Sequence, residues 1–372
     1  MNRKPALMDE PPTSAGSLSP AEVLRFRRKL MQWYRIHARV LPWRGVRDAY
    51  ATWVSEIMLQ QTRVAAVLEH YDRFLREFPT IVALALASEE AVLAAWSGLG
   101  YYRRARMLHK AAQFVTRELN TKIPTNSAEL RTLPGVGEYT CAAIASIAFG
   151  ESIAVVDGNV ERVLLRITGR PEDSTAAGRA FIREQAGKLV PRRRLSESVN
   201  AAGDHNQAMM ELGATICLPR APLCLNCPVY DLCRTRGEHS TAPRGKQRSQ
   251  RIAYLLATRR QENSIEVLLE RRDSEASLMP GMLELPMLPI DAVDSHEPML
   301  RLRHSITNTN YYVEVYGERT LLEEIPAAEE TLHWSAATRL RALPLTGLAR
   351  KVLMRLDLMT VGGLHLPLRS ED

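Results

Sequence analysis

Two carboxylates, one glycine turn and one cysteine cluster are the residues of this chain whose types and spacing could do chemistry. Glu56 interrupts an otherwise apolar helical register in TWVSEIMLQQ. A carboxylate there is costly unless it is paired or functional, the alternative being a partly exposed helix residue. Asp157 ends the apolar run SIAVVDGNV, where an aspartate could equally cap a helix or make a turn. Just before that run, Leu133-Pro134-Gly135-Val136-Gly137 forms a turn too tight for side chains and opens onto an apolar helix over 139–149. Such a turn leaves backbone N–H groups pointing outward, where an anion suits them; in a basic protein a DNA phosphate qualifies, though an ordinary tight turn would look the same. The cysteines are spaced Cys217-x6-Cys224-x2-Cys227-x5-Cys233. Four thiolates at that spacing can surround one metal centre. Zinc usually takes two separated Cys-x-x-Cys pairs, and only one is present, so a [4Fe–4S] cluster fits better. Cys141, inside the apolar helix, reads as packing.

The elements that must position these groups are mostly helical. Residues 1–17, rich in Pro, Ser and Thr, read as a disordered tail. Ser19-Pro20-Ala21-Glu22 is a capping box that starts the first helix. Leu41-Pro42-Trp43-Arg44 must be a non-helical turn, and a helix beginning at Thr52 carries Trp53, Ile57 and Leu68 on its apolar side. Residues 80–120 give two or three helices joined at Leu99-Gly100-Tyr101-Tyr102-Arg103, a loop that could stack on bases or could pack its aromatics inward. Further helices fill 175–216, so 18–233 reads as one all-α domain ending in the cysteine loop. Residues 234–250 form a basic linker carrying most of six cations against Glu238. From 251 to 366 the pattern becomes strand-like: IAYLLATR and SIEVLLERR read as a strand pair, NYYVEVYGERT as a third strand, and Gly347–Leu358 as a closing helix, giving an α+β domain. A net charge of +7 favours a polyanionic partner. The clustered cysteines do not resemble a secreted disulfide framework. With no apolar run of membrane length and no signal-peptide region, a cytoplasmic protein without membrane association is expected.

These residues resemble a known family. LPGVG at 133–137, VDGNV at 156–160 and the cysteine spacing are similar to those of helix-hairpin-helix DNA glycosylases that carry an iron–sulfur cluster. LPWR at 41–44, SEIMLQQTRV at 55–64, GLGYYRRAR at 98–106 and QAMMELGATIC at 207–217 resemble, more narrowly, the MutY adenine-DNA glycosylases. The resemblance implies a two-lobed helical domain with DNA in its cleft and a [4Fe–4S] cluster on Cys217, Cys224, Cys227 and Cys233. It implies a monomer, nucleoid-associated if bacterial, that acts on double-stranded DNA holding adenine opposite 8-oxoguanine or guanine. It further implies that Glu56 is the catalytic acid, Asp157 the second carboxylate and Asn159 the residue placing it. Tyr139 stands where strand-cleaving relatives carry a lysine that forms an imine; tyrosine cannot, so β-elimination should be weak or absent. Gln61 and Tyr101 match residues that wedge into the duplex, and Trp43, Arg44, Leu59 and Glu211 match the pocket around the extruded base. Gly135, Val136 and Gly137 match the phosphate-binding hairpin.

The C-terminal region resembles a Nudix-like module that recognises 8-oxoguanine, MPGMLELP at 279–286 standing in for the family's GGLWEFP. No glutamate-rich hydrolase box follows it. Ile306-Thr307-Asn308 occupies the place of a Phe-Ser-His triplet, keeping an apolar group, a hydroxyl and a hydrogen-bonding side chain while losing the ring. Three other functions compete with this one. A thymine-DNA glycosylase on T·G mispairs shares the Tyr and Asp but usually lacks a C-terminal domain. A non-catalytic mismatch binder would not need Glu56 and Asp157. A Nudix-type hydrolase would need the missing metal-binding box.

Overall fold

The computed structural model describes residues 16–192, 200–239, 247–261, 264–276, 278–306, 308–317 and 319–359. The helices are α1 Pro20–His37, α2 Ala49–Leu59, α3 Val64–Glu77, α4 Ile81–Leu86, α5 Glu89–Trp96, α6 Arg103–Glu118, α7 Ser127–Leu130, α8 Glu138–Phe149, α9 Gly158–Thr168, α10 Ala176–Leu189 and α11 Ala201–Thr215. Strands follow as β1 Arg248–Leu255, β2 Thr258–Gln261, β3 Ser264–Arg271, β4 Leu283–Glu284, β5 Met287–Leu288, β6 Leu300–Ile306, β7 Thr309–Tyr316 and β8 Leu332–Ala336, and α12 Gly347–Arg355 comes last. The chain divides into two compact units, Met1–Glu56 with Ile123–Pro243, and Ile57–Lys122 with Arg244–Asp372. Among the described residues no helix is long and apolar enough to cross a membrane.

In the first unit, α1 starts as its sequence dictates. The Glu22 N–H donates to Ser19 Oγ and the Ser19 N–H donates to the Glu22 carboxylate, with Pro20 at the first helical position. Gly16 and Ser17, expected in the tail, are ordered: Ser17 Oγ donates to Gln185 and Leu18 is buried. Residues 1–15 lie outside the described residues. The core gathers Phe26 and Leu30 of α1, Val163 and Leu164 of α9, Ile182 and Leu189 of α10, and Met209 and Leu212 of α11. It extends to Val229 and Leu232 of the cysteine loop. α8 is buried on every side from Thr140 to Ile147, so it shows no amphipathic stripe and serves as the unit's central helix.

In the second unit, Phe74 packs edge-on against both Phe78 and Trp96 at centroid distances of 5.0 and 5.8 Å. α2 and α3 are separate helices. The expected single apolar face through Leu68 is broken because Gln61 turns left-handed at φ +55°, and Leu68 is exposed. The strands form two sheets, ordered β5-β1-β7-β6 and β2-β3-β4 with β8 also on β3. The expected pairing of IAYLLATR with SIEVLLERR holds only at the end of the first segment, where Thr258 and Arg259 pair with Val267 and Glu266. β1 pairs in parallel with β7, and β3 takes its hairpin partner from β2, the wholly exposed Thr258–Gln261. That polar stretch carries no alternation to reveal a strand. Ile252 and Tyr254 face one core with Leu348, Val352 and Leu353 of α12, while Ala253 and Leu255 face another. Burial on both faces explains the unbroken apolar run in β1. The Ser97 and Tyr102 hydroxyls both donate to the buried Leu345 carbonyl, at 2.8 and 3.0 Å, tying the helices of this unit to its sheets.

Candidate active site

Glu56 sits on α2 close to Trp53 and Val54, both essentially inaccessible, and is itself 5% exposed. Its carboxyl has one strong partner, the Tyr139 hydroxyl at 2.5 Å. Burial lifts Glu56 to about 7; the Tyr139 bond opposes this and the Asp157 charge adds to it. The same geometry pushes Tyr139 well above its ordinary value, through burial first and then the charges of Glu56 and Asp157, so it remains a donor. A shared role for residues 56 and 157 requires a shared electrostatic environment, and both Glu56 and Tyr139 feel the Asp157 charge.

Asp157 is the N-cap of α9, so the capping role and the site role coincide. One oxygen accepts the Val160 N–H at 2.7 Å and the other accepts the Asn159 side-chain amide at 2.9 Å. Asn159 in turn accepts from Arg162 at 2.8 Å, and Arg162 Nε donates to the Cys217 carbonyl at 2.8 Å. A continuous polar chain thus joins the second carboxylate to the first cysteine. Arg162 was missed from sequence, although its position three residues after Asn159 puts both on one helix face. Gly213 was missed too. A Cβ there would come within 2.6 Å of Asn159 Cβ and 3.0 Å of its carbonyl oxygen, so only glycine lets α11 pass the start of α9.

The hairpin residues serve the turn as expected. Gly135 has φ +72°, Gly137 is the N-cap of α8 with open space around it, and Val136 is buried as the anchor. Tyr139 also belongs to the wall of a cavity of about 700 Å³ beside the hairpin, lined by Arg131, Glu138, Val156 and Arg183 among others. Glu56 and Asp157 are not among its lining residues.

Trp43, Arg44 and Glu211 come together, but as a buried support. Glu211 is 1% exposed on the side chain and accepts bonds from Arg39 Nε and Nη2 at 2.8 and 2.7 Å and from Arg44 at 2.5 Å. Trp43 is buried in the turn closed by the Arg44 N–H, which donates to the Leu41 carbonyl. Arg39 carries no motif signal and was missed. Burial alone would raise the Glu211 carboxyl, but the Arg39 and Arg44 bonds outweigh it and bring it down to about 2. Because that value lies below the ordinary 4.5, the stabilisation is complete above pH about 4.5 and is lost as the pH falls toward 2. Glu211→Gln should cost about 3 kcal/mol at neutral pH and flatten that acid dependence. Urea unfolding at several pH values checks this; a loss below about 1 kcal/mol would contradict it.

The four cysteines are free and line one cavity with Arg166, Ile216, Pro222, Tyr230, Arg236 and Gly237. Among the described residues no three ligand-type side chains converge on a single ion. Burial pushes the Cys227 thiol up to about 12, with the other three thiols adding to it. A cationic centre would offset that cost. Arg166 and the Arg236 N–H already donate to Cys217 Sγ and Cys233 Sγ at 3.4 Å.

In the second unit, Leu59 is the half-buried last residue of α2. Gln61 and Tyr101 are both exposed and both left-handed, at φ +55° and +47°. Ile306 pairs with Thr309 across the end of the β6–β7 hairpin. Asn308 is exposed there and Thr307 lies outside the described residues.

Known proteins share much of this chain. Residues 54–188 match the family described as HhH-GPD superfamily base excision DNA repair protein. The chain is similar to the adenine DNA glycosylase of Rattus norvegicus, 48% identical over 225 residues, covering 58% of this chain and 42% of that protein. It is also similar to the adenine DNA glycosylase of Mycolicibacterium smegmatis, 38% identical over 239 residues, covering 64% of this chain and 76% of that one. The chain therefore spans under half of the mammalian relative. Among solved structures, a thermostable thymine-DNA glycosylase aligns with a TM-score of 0.52 and 29% identity, over 58% of this chain and 97% of that one.

Proposed function

Because the chain belongs to the adenine DNA glycosylase family, we propose that it excises adenine mispaired with 8-oxoguanine or guanine from double-stranded DNA, leaving an abasic site for base excision repair. The observation that carries this reading is the Glu56 carboxyl, buried, bonded to Tyr139 and lifted to about 7 within the field of Asp157. Breaking an N-glycosidic bond builds positive charge on the sugar and negative charge on the leaving base. The neutral Glu56 gives its proton to adenine, and the Asp157 carboxylate stabilises the sugar cation or adds to it transiently. After the base leaves, Glu56 activates water. Tyr139 orients Glu56 and, lacking an amine, supplies no route to strand cleavage. Asn159 holds Asp157, and the hairpin amides at 135–137 grip a phosphate without reading sequence.

Trp43, Arg44, Leu59 and Glu211 are assigned to binding the extruded base. Gln61 and Tyr101 enter the duplex as the adenine swings out. Cys217, Cys224, Cys227 and Cys233 hold a [4Fe–4S] cluster, which supplies order to a basic loop at the phosphate backbone. The region from 251 to 366 is a Nudix-like module whose Ile306, Thr307 and Asn308 meet the oxidised base. The protein works as a monomer in the compartment that holds the DNA, the cytoplasm if bacterial.

The test is base release from duplexes holding A opposite 8-oxoguanine, A opposite G, and T opposite G. Adenine should leave from the first two and thymine from none, with the strand intact until alkali is added; thymine release would overturn the substrate assignment. Asn308→Ala should reduce mainly the preference for 8-oxoguanine over guanine, by about tenfold, the value of one or two lost hydrogen bonds. Equal losses on both duplexes would remove it from lesion reading. In Tyr139→Phe the bond that lowers Glu56 disappears, so the alkaline limb of the single-turnover rate should move above pH 7 while the maximum falls. A limb moving to lower pH would contradict that arrangement.

A further inference from the structure

Arg104, in the first turn of α6, is the most heavily bonded guanidinium of the second unit, and the proposed chemistry leaves it unused. Nη1 donates to the carbonyls of Ile57 and Met58 at 2.7 and 3.0 Å and to that of Gln60. Nη2 donates to Thr62 Oγ1 at 2.9 Å and to the carbonyls of Leu99 and Gly100 at 3.2 and 3.1 Å. The guanidinium also lies 5.4 Å from the Tyr101 ring centre and 5.5 Å from that of Trp96. Among the described residues no carboxylate pairs with it. Its charge is spent on backbone oxygens, including those left free at the C-terminus of α2, where a cation is favoured.

The placement of these bonds is specific. Gln60 and Thr62 flank Gln61 on either side, while Gly100 precedes Tyr101, whose carbonyl accepts the Arg104 N–H at 2.9 Å. Left-handed backbone in residues with a Cβ persists only where neighbours over-determine it. Here one side chain fixes the neighbours of both strained residues, in two segments some forty positions apart. The two Nη groups share their four N–H hydrogens among these six acceptors in both segments, while the buried Nε has no partner among the described residues; a single ammonium cannot span them.

We propose that Arg104 is a positioning residue that locks Gln61 and Tyr101 into one rigid two-pronged element, so that both prongs enter the duplex together when the adenine is extruded. This rests on the reading of Gln61 and Tyr101 as duplex-entering groups. The lock removes the need to order two loops at the moment of extrusion.

The test uses the full chain and duplexes with 2-aminopurine at the adenine position opposite 8-oxoguanine, whose fluorescence rises on extrusion. Single-turnover adenine release and binding to a duplex with a tetrahydrofuran abasic analogue are measured alongside. Arg104→Lys should slow extrusion and release by about 30-fold or more, the scale of a misplaced positioning group, while changing affinity for the abasic duplex less than about threefold. Combined with Gln61→Ala and Tyr101→Ala, it should add less than about threefold to the loss those two already cause. A full further loss in that prongless background would show that Arg104 acts otherwise and would overturn the proposal, as would an unchanged Arg104→Lys enzyme. Should Arg104→Lys fail to fold, Thr62→Val removes one acceptor at little structural risk. It should slow extrusion about threefold or more in the prong-bearing chain and have no effect in the prongless one; any other pattern counts against the lock. If the prongless chain extrudes and releases adenine as fast as the unaltered protein, the duplex-entry reading itself fails, and the lock with it.

Discussion

Glu56→Gln should abolish measurable adenine release, a loss of about 10³ to 10⁴-fold, while duplex binding stays within a few-fold. Glutamine keeps the volume and can still accept the Tyr139 hydroxyl, so the cavity is preserved and only the titratable proton is lost. The same change should stabilise the protein at alkaline pH. The folded Glu56 carboxyl titrates at about 7 against an ordinary 4.5. The stability tied to its proton is therefore fully present below pH about 4.5 and is lost as the pH rises through about 7. Above that range the variant should be more stable by about 3 kcal/mol, because no buried charge has to form. Activity lost together with stability gained is the signature of a strained functional group. Denaturation at pH 8 alongside single-turnover assays checks both halves. A Glu56→Gln protein that still turns over would remove the residue from its role.

Asp157→Asn should cost about 10² to 10³-fold in release, and here the position of the residue makes the variant unusually clean. Asparagine is as good an N-cap as aspartate, so the Val160 N–H of α9 stays satisfied, while the charge and the oxygen that accepts the Asn159 amide are removed. Asp157→Ala would lose the cap as well, at about 1 kcal/mol of stability. Equal stabilities for the unaltered and Asp157→Asn chains, with unequal activities, separate the two functions of the one side chain. The Asp157→Asn variant should also bring Glu56 below about 7, since the Asp157 charge helps to raise it. Unchanged release would contradict a cation-stabilising role.

How far the sequence foretold this arrangement depended on whether a residue's signal was local. The capping box at Ser19 and the left-handed turn at Gly135 are each decided within a few positions, and both form as expected, while the four cysteines line one cavity. Asp157 looked divided between a cap and a functional carboxylate because its one side chain caps α9 and lies within the field of Glu56. The failures are places where distant chain decides. IAYLLATR, read as one strand, is split: its apolar part is buried on both faces and pairs with β7, and only its last two residues, in the exposed β2, pair with β3 as expected. Leu68 fell on a helix face that does not exist, since Gln61 leaves the helical conformation. Arg39, Arg104 and Arg162 were given no role of their own from sequence, and each ends on backbone carbonyls or a buried carboxylate supplied from elsewhere in the chain. Trp43 and Glu211 are both buried, and the two arginines that hold Glu211 come from the turn before α2, which only the folded chain reveals.

Titrating at about 7, the buried Glu56 carboxyl still carries its proton in about half of the molecules at neutral pH. Infrared difference titration of the unaltered protein against Glu56→Gln reads that directly. A carboxylic-acid carbonyl band belonging to residue 56 should vanish with a midpoint at about pH 7. If the band were already gone well below pH 6, with residue 56 titrating like a solvated glutamate, the group would hold no proton to give the leaving base, and the proposed chemistry would fail.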